Sequence, residues 1–293
     1  MKKLLLIAVA ALAIVACKKD KGEPVAPNGG NGNNGGGGTQ TEQPTPVPAG
    51  FVKQIIKTSL TGAVATTTYN VENNVLKSWV EQNSQNTVTH TLEYNGKNLK
   101  TYRLQDSSRG LDELYSFVYE NNKLTKITYK TGSSQPDTFI VTTDDKGRIT
   151  KKENPGVGNH FNVMPSVITF DYGTTTLTVK NYDGNATTTC AYGYKDDNVV
   201  AVNYNGATQT YEYDTTVVND LSNPYILLAD LAKVNVRGHD GDISFVAEEN
   251  IFANQSKNVR KKYLFFDRVI TKNGNKPLEI VKQPTGEKII YKY

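Results

Sequence analysis

The chain has 293 residues, of which 37% are hydrophobic and 21% charged, with 33 Lys and Arg against 29 Asp and Glu. The net charge of +4 is too small to indicate a nucleic-acid-binding protein, because such proteins usually carry a concentrated basic patch. Residues 51–293 are long enough for one large core, and all-β barrels and sandwiches of this size often form a single domain.

The first predicted element is a short apolar segment after two lysines. Residues 4–16 are all apolar, and Ala16 directly precedes Cys17. A membrane-spanning helix needs about 20 apolar residues, so this run fits a cleaved signal better than an uncleaved anchor. The cysteine at its end resembles the signal of bacterial lipoproteins. That resemblance implies a signal peptide over 1–17, lipidation of Cys17, membrane attachment through that lipid, and an outer-membrane lipoprotein on the periplasmic side or the cell surface.

A low-complexity segment follows, over residues 18–50. It contains the run NGGNGNNGGGG and then Pro44, Pro46 and Pro48, without apolar periodicity. Gly-rich chain is flexible and Pro-rich chain is extended, so we predict a disordered tether. The third predicted unit is a single β-repeat domain over 51–293.

The β-repeat domain contains a self-similar unit of about 24 residues. Each unit has an apolar residue, a turn rich in Asn, Asp and Gly, and a second apolar residue. The paired positions are Val71 and Leu76, Tyr94 and Leu99, Tyr119 and Leu124, Thr143 and Ile149, Tyr172 and Leu177, and Tyr194 and Val199. Such turns join antiparallel strands. The sequence therefore predicts an all-β meander of hairpins.

The flanking strands alternate between an apolar face and a face of Thr, Glu, Lys and Asp. A membrane barrel needs an apolar outer band, so we expect the polar face to meet water and the apolar face to form the core. Open edges invite aggregation. We therefore predict roughly twelve strands curled into a water-soluble barrel or a strongly bent sheet.

One segment breaks the strand pattern, at residues 222–233. Asn223 can cap a helix and Pro224 suits its first turn. The apolar residues that follow are too many to remain exposed, so we expect this short helix to plug or cover a barrel end.

Two family resemblances accompany these features. The segments Tyr211-Glu212-Tyr213-Asp214 and Leu92-Glu93-Tyr94-Asn95-Gly96 resemble YD (Rhs-type) repeats. The whole plan, with the tether, the hairpin repeats, the Asn-Pro helix and Ser256-Lys257-Asn258, resembles an uncharacterised Bacteroidota lipoprotein family with a porin-like fold. This resemblance implies a β-barrel and supplies no activity.

Candidate chemistry is sparse. The histidines are His90, His160 and His239, and none has the spacing of a zinc site. His239-Asp240-Gly241-Asp242 reads better as a turn than as a calcium loop. Cys190 lies in a strand pattern and is expected to be a small buried residue. We therefore predict no catalytic residues, no metal and no cofactor.

Aromatic residues are the remaining indication of a ligand site. Trp79 and Tyr102 close the first two repeats and are candidates for stacking on a ligand at a rim, although core packing is the simpler interpretation. The leading functional hypothesis is a non-catalytic barrel that binds a ligand, with a glycan or an envelope protein as partner and no nucleic acid. The alternatives are a structural or assembly component of the envelope and, further behind, an unrecognised glycan hydrolase.

Overall fold

The structure is a computed structural model that describes residues 42–155, 166–182, 186–204, 206–234, 251–263 and 266–293. The predictions for Cys17, for most of the tether, and for His160 and His239 lie outside these residues. No helix within the described ranges is long and apolar enough to cross a bilayer.

The described residues form one closed antiparallel sheet and two helices. Each strand pairs with the next along the chain, and the last strand pairs with the first, so no edge stays open. The helices are α1 (Pro224–Lys233) and α2 (Ile251–Asn254). The strands are β1 (Gln54–Thr58), β2 (Val64–Glu72), β3 (Val75–Asn83), β4 (Thr87–Asn95), β5 (Asn98–Asp106), β6 (Leu111–Glu120), β7 (Lys123–Thr131), β8 (Asp137–Thr143), β9 (Ile149–Asn154), β10 (Ser166–Tyr172), β11 (Thr176–Tyr182), β12 (Thr187–Lys195), β13 (Asn198–Tyr204), β14 (Ala207–Val218), β15 (Asn258–Tyr263), β16 (Phe266–Asn273), β17 (Lys276–Gln283) and β18 (Lys288–Lys292).

The predicted antiparallel barrel is confirmed, but the predicted number of strands is wrong. The sheet has eighteen strands where roughly twelve were expected. The six sequence repeats correspond to β2 through β13, which are twelve strands. The other six, β1 and β14 to β18, are joined by turns without the repeat pattern, so the repeat could not reveal them.

The repeat has a structural cause in its turns. Asn73 and Asn74, and the equivalent pairs Asn121–Asn122 and Asp196–Asp197, all have positive φ, as two-residue type I′ turns require. A register shift precedes each of these turns, for example between Asn70 and Val71. The second apolar residue of every repeat is then buried: Leu76, Leu99, Leu124, Ile149, Leu177 and Val199.

Because strands alternate in direction, the turns divide between two ends of the barrel. We call the end that carries 73–74, 96–97, 121–122, 196–197 and 274–275 the tight-turn end. We call the opposite end, with 59–63, 84–86, 107–110, 132–136 and 284–287, the long-loop end.

The predicted helix is confirmed as α1, and it lies inside the barrel. Asn223 caps it, since its Oδ1 accepts from the backbone N–H of Tyr225 at 2.9 Å and of Ile226 at 3.3 Å. The Tyr225 hydroxyl donates to the carbonyl of Lys97 at the tight-turn end (2.8 Å). Side chains all around α1 are buried, including Tyr225, Leu228 and Ala232. The helix thus fills part of an interior that a porin of similar strand number leaves open as a channel.

Residues 42–50, which composition assigned to the tether, pack against the tight-turn end. Val47 is buried and its N–H donates to the Asn74 carbonyl (2.7 Å). Glu42 pairs with Lys97 at 2.7 Å, and the Thr45 N–H donates to the Tyr225 hydroxyl at 2.8 Å. The packed part of the chain therefore begins before residue 51.

Candidate functional site

A row of stacked rings crosses the interior of five consecutive strands. It contains Trp79 on β3, His90 on β4, Tyr102 on β5, Tyr115 on β6 and Tyr129 on β7. Neighbouring ring centroids lie 4.4 Å apart for Trp79–His90, 5.9 Å for His90–Tyr102, 5.4 Å for Tyr102–Tyr115 and 5.1 Å for Tyr115–Tyr129. Inward-facing positions on adjacent strands produce this row: Trp79–His90, Tyr102–Tyr115 and Tyr115–Tyr129 are directly paired, and His90 and Tyr102 are diagonal neighbours.

The row corrects the expected position of Trp79 and Tyr102. They are not at a rim: their exposed fractions are 5% and 0%. Each stacks on His90, and their centroids are 6.0 Å apart. Neither ring offers a free face to solvent in this arrangement, so both pack as core residues.

Polar atoms along the row are joined by hydrogen bonds. His90 Nδ1 and the Tyr102 hydroxyl lie 2.8 Å apart. Tyr115 and Tyr129 both donate to the buried Glu113 carboxylate, at 3.2 and 3.1 Å. The Trp79 indole N–H donates to Glu81 Oε1 at 3.3 Å.

His90 is the unusual member of this row. Its Nε2 is buried, has no hydrogen-bond partner among the described residues, and lies 3.6 Å from Glu81 Oε1. Burial, and then the positive charge of Lys233, lower the pKa of His90 to about 3. The imidazole is therefore neutral near pH 7.

A buried lysine side chain lies at the C-terminus of α1. Lys152 Nζ, on β9, donates to the carbonyls of Leu231 (3.1 Å), Ala232 (2.7 Å) and Val234 (2.6 Å). Burial lowers the pKa of Lys152 to about 7. The side chain satisfies carbonyls that a helix end leaves without intrahelical partners, so its task is structural.

A cavity of about 720 Å³ lies between the helices and the wall formed by β1–β3 and β15–β18. Its lining includes Ser59, Ser84 and Gln85, exposed residues of the long-loop end that we call its mouth, and also Asn254, which is exposed near the tight-turn end. Volumes of this order are typical of small-ligand sites. Tyr69 and Tyr291 lie on the wall between its two charged sides.

One side of the cavity is basic. Arg260 on β15 and Arg268 on β16 both line it. The Arg260 guanidinium lies over the ring of Tyr211 (5.1 Å to the centroid) and donates to Asn254 Oδ1 at 3.1 Å, so its orientation is fixed. Burial raises the pKa of Tyr291 to about 12, and the nearby Arg268 and Arg260 oppose that rise.

The other side of the cavity is acidic. It contains Glu81, whose side chain is about half exposed, and Asp230 of α1, which pairs with Lys233 at 2.7 Å. Burial raises the pKa of Tyr69, and the charges of Glu81 and Asp230 raise it further. Oppositely charged groups therefore line different parts of one cavity. Between them the lining also contains Lys57, and Lys282 and Lys288, which pair with Glu287 at 3.0 Å and Glu279 at 2.8 Å.

The described ranges contain no group of three or more His, Cys, Asp or Glu side chains that could hold a metal ion. Cys190 is buried as expected, and burial raises the pKa of its thiol, which disfavours the reactive thiolate.

Sequence reasoning missed Lys152, Arg260 and Arg268. For Arg268 the available sequence signal was a basic residue at an inward-facing position between the apolar residues Phe266 and Ile270. Lys152 gave no such signal, because its alternate neighbours Thr150 and Asn154 are polar. For Arg260 that signal is hidden, because a register shift between β14 and β15 interrupts the alternation.

No protein-family model matches the chain, and no curated protein matches it. Among solved structures, it is similar to a porin-like protein from Bacteroides uniformis ATCC 8492, with a TM-score of 0.46 and 12% identity over 86% of this chain and 99% of that one. It is also similar to a porin-like protein from Bacteroides vulgatus ATCC 8482, with a TM-score of 0.29 and 11% identity over 83% of this chain and 98% of that one. Neither similarity assigns a ligand or an activity to this chain.

Proposed function

We propose that this protein is a non-catalytic envelope lipoprotein that binds a small ligand in the interior of its barrel. The observation that carries the proposal is the cavity of about 720 Å³ between α1 and the wall formed by β1–β3 and β15–β18. A closed sheet with no free edge provides a rigid wall for such a site.

The position of the cavity mouth supports a tethered binding protein. The described chain begins at residue 42 at the tight-turn end, where Glu42 pairs with Lys97. The mouth lies at the long-loop end. If a lipid on Cys17 anchors the chain, the tether reaches the barrel at the end opposite the mouth, and the ligand enters from the side facing away from the membrane.

The buried polar groups support a binding role without catalysis. Lys152 binds the carbonyls at the end of α1, and Glu113 accepts from two tyrosines of the stacked row. These groups stabilise the interior and lie away from the cavity lining.

A structural or assembly role is the second candidate. It is favoured by Leu60 and Val64 at the β1–β2 turn, whose exposed fractions are 62% and 50%. Apolar side chains beside the cavity mouth offer a contact for another envelope protein.

The test is a thermal-unfolding screen of the full-length protein in detergent against peptides, peptidoglycan fragments and oligosaccharides. A ligand at about 100 times its Kd stabilises the folded state by about 2.7 kcal/mol. Ala65 lines the cavity, whereas Thr68 on the same strand is exposed and faces outwards. We expect Ala65→Phe to abolish the shift and Thr68→Phe to leave it intact.

Two results would contradict the proposal. A shift that survives Ala65→Phe would place the ligand elsewhere. If no compound tested raised the unfolding temperature, and the β1–β2 turn crosslinked to another envelope protein, the assembly role would be favoured.

A further inference from the structure

We propose that the cavity takes a zwitterionic ligand, a short peptide with free termini, with its ammonium group at Glu81 and its carboxylate at Arg260 and Arg268. This inference rests on the proposed function and names the ligand class for the same cavity. It depends on the separation of opposite charges within one lining.

The acidic side is suited to an ammonium group. Glu81 Oε1 is oriented by the Trp79 indole N–H at 3.3 Å, while its side chain remains about half exposed to the cavity. The adjacent His90 Nε2 is buried, lies 3.6 Å away and has no hydrogen-bond partner within the described ranges. Because this imidazole is neutral, it adds no positive charge beside Glu81. The nearby cation is Lys233, which pairs with Asp230 at 2.7 Å, so Glu81 and Asp230 together keep one negative charge in excess. An ammonium donor placed beside Glu81 would meet that charge.

The basic side is suited to a carboxylate. A guanidinium presents several donors in one plane and binds carboxylates with two parallel hydrogen bonds. The Arg260 guanidinium lies over the ring of Tyr211, and its Nη2 donates to Asn254 Oδ1. These two contacts hold the side chain in place. Little side-chain entropy is lost when such a preorganised group binds. Arg268, on the neighbouring strand, lines the same cavity.

The distance between the two sides sets the ligand length. Five strand intervals separate β16 from β3 around the closed sheet. At about 4.8 Å per interval the path along the wall is about 24 Å, which is about seven residues of extended chain at about 3.3 Å each. The straight path through the lumen is shorter, so a peptide of about five residues is the appropriate probe.

The groups between the charged sides favour a peptide over a neutral sugar. Tyr69 and Tyr291 line the wall there and offer both ring surface and a hydroxyl. A neutral ligand would displace water from the charged groups at both sides without supplying an opposite charge, which costs free energy. A peptide with two charged termini compensates both.

The experiment measures binding of pentaalanine to the full-length protein by calorimetry and by the fluorescence of Trp79, the single tryptophan of the chain. The same peptide is compared in N-acetylated, C-amidated and doubly capped forms. We expect each cap to weaken binding at least tenfold and the doubly capped peptide not to bind measurably. These comparisons use the unaltered protein, so they do not depend on the folding of any variant.

Two variants assign each terminus to its side. Glu81→Gln should weaken binding of the free peptide. In this variant acetylation should no longer change the affinity, whereas amidation should still lower it. Arg268→Gln should also weaken binding of the free peptide, but there amidation should have no effect and acetylation should still lower the affinity. Glu93→Gln and Lys100→Gln change exposed residues on β4 and β5, outside the cavity lining, and should leave all affinities unchanged.

Equal affinity for free and capped peptides would overturn the zwitterion inference. Binding of a neutral oligosaccharide that is lost in Ala65→Phe would also overturn it while leaving the cavity as the binding site. The absence of binding by every peptide and sugar tested would reject both this inference and the proposed function.

Discussion

The ammonium of Lys152 on β9 lies 2.7 Å from the carbonyl oxygen of Ala232, at the C-terminus of α1. Two further carbonyls accept from the same Nζ. One side chain of the barrel wall therefore fixes the end of the helix that fills the interior. At the opposite end of α1, the Tyr225 hydroxyl binds the Lys97 carbonyl. The helix is thus held at both ends by polar contacts with the wall or its turns.

Removal of the Lys152 ammonium should destabilise the protein. Lys152→Met keeps most of the side-chain volume but leaves buried carbonyls without a donor, which costs about 1–3 kcal/mol. We expect the free energy of unfolding in urea to fall by about 2 kcal/mol. The adjacent Lys151→Met removes a partly exposed side chain paired with Glu153 and should change it by less than about 0.5 kcal/mol. Equal effects of the two substitutions would contradict the helix-end role.

Acid should destabilise the protein through His90. Its pKa is lowered to about 3 in the folded protein, below the ordinary value of 6.5, because of burial and Lys233. Between these two pH values the unfolded chain binds the proton more tightly, so stability falls as pH drops below about 6.5. Each pH unit in this window corresponds to about 1.4 kcal/mol.

The comparison with His90→Phe isolates this contribution. The phenylalanine keeps a ring against both Trp79 and Tyr102 but does not titrate. Urea unfolding at pH 7, 5 and 4 should show a smaller loss of stability for the variant, with the two proteins differing by about 3 kcal/mol in that loss at pH 4. Parallel pH profiles would show that His90 is protonated without penalty in the folded state.

Local sequence predicted the turns and the helix because their signals are local. Residues 121 and 122 have positive φ, and both are asparagine, a residue type that tolerates this conformation. Likewise, Asn223 and Pro224 mark the start of α1 by capping and by the fixed φ of proline. Neither feature depends on the rest of the chain.

The closure of the sheet and the cavity could not be predicted in the same way. Closure depends on pairing between β1 and β18, such as Ile56 with Ile290, which are distant in sequence. In the sequence, Lys152 and Arg260 resemble ordinary surface residues. Only the register of the strands shows that their side chains face the interior. Trp79 was ambiguous because aromatic residues are favoured both in cores and at ligand sites.

The tight turns require positive φ, and this requirement can be tested by substitution. Asn122 has a φ of 60°, which most side chains adopt only with strain. We expect Asn122→Ala to lower the free energy of unfolding by about 1 kcal/mol, whereas Asn122→Gly should leave it within about 0.5 kcal/mol. Urea denaturation compares the two variants. A larger loss in the glycine variant would mean that the Asn side chain, and not φ, stabilises the turn.

The Tyr225 hydroxyl should hold residues 42–50 to the barrel. It accepts from the Thr45 N–H and donates to the Lys97 carbonyl, both at 2.8 Å. Tyr225→Phe leaves both groups without this partner, so we expect a loss of about 2 kcal/mol and faster hydrogen exchange at the Thr45 amide. Tyr119→Phe is the matched control, because the buried Tyr119 hydroxyl has no hydrogen-bond partner among the described residues. That variant should be neutral or slightly stabilising, and unchanged exchange at Thr45 in Tyr225→Phe would show that the segment is held by Val47 and its other contacts instead.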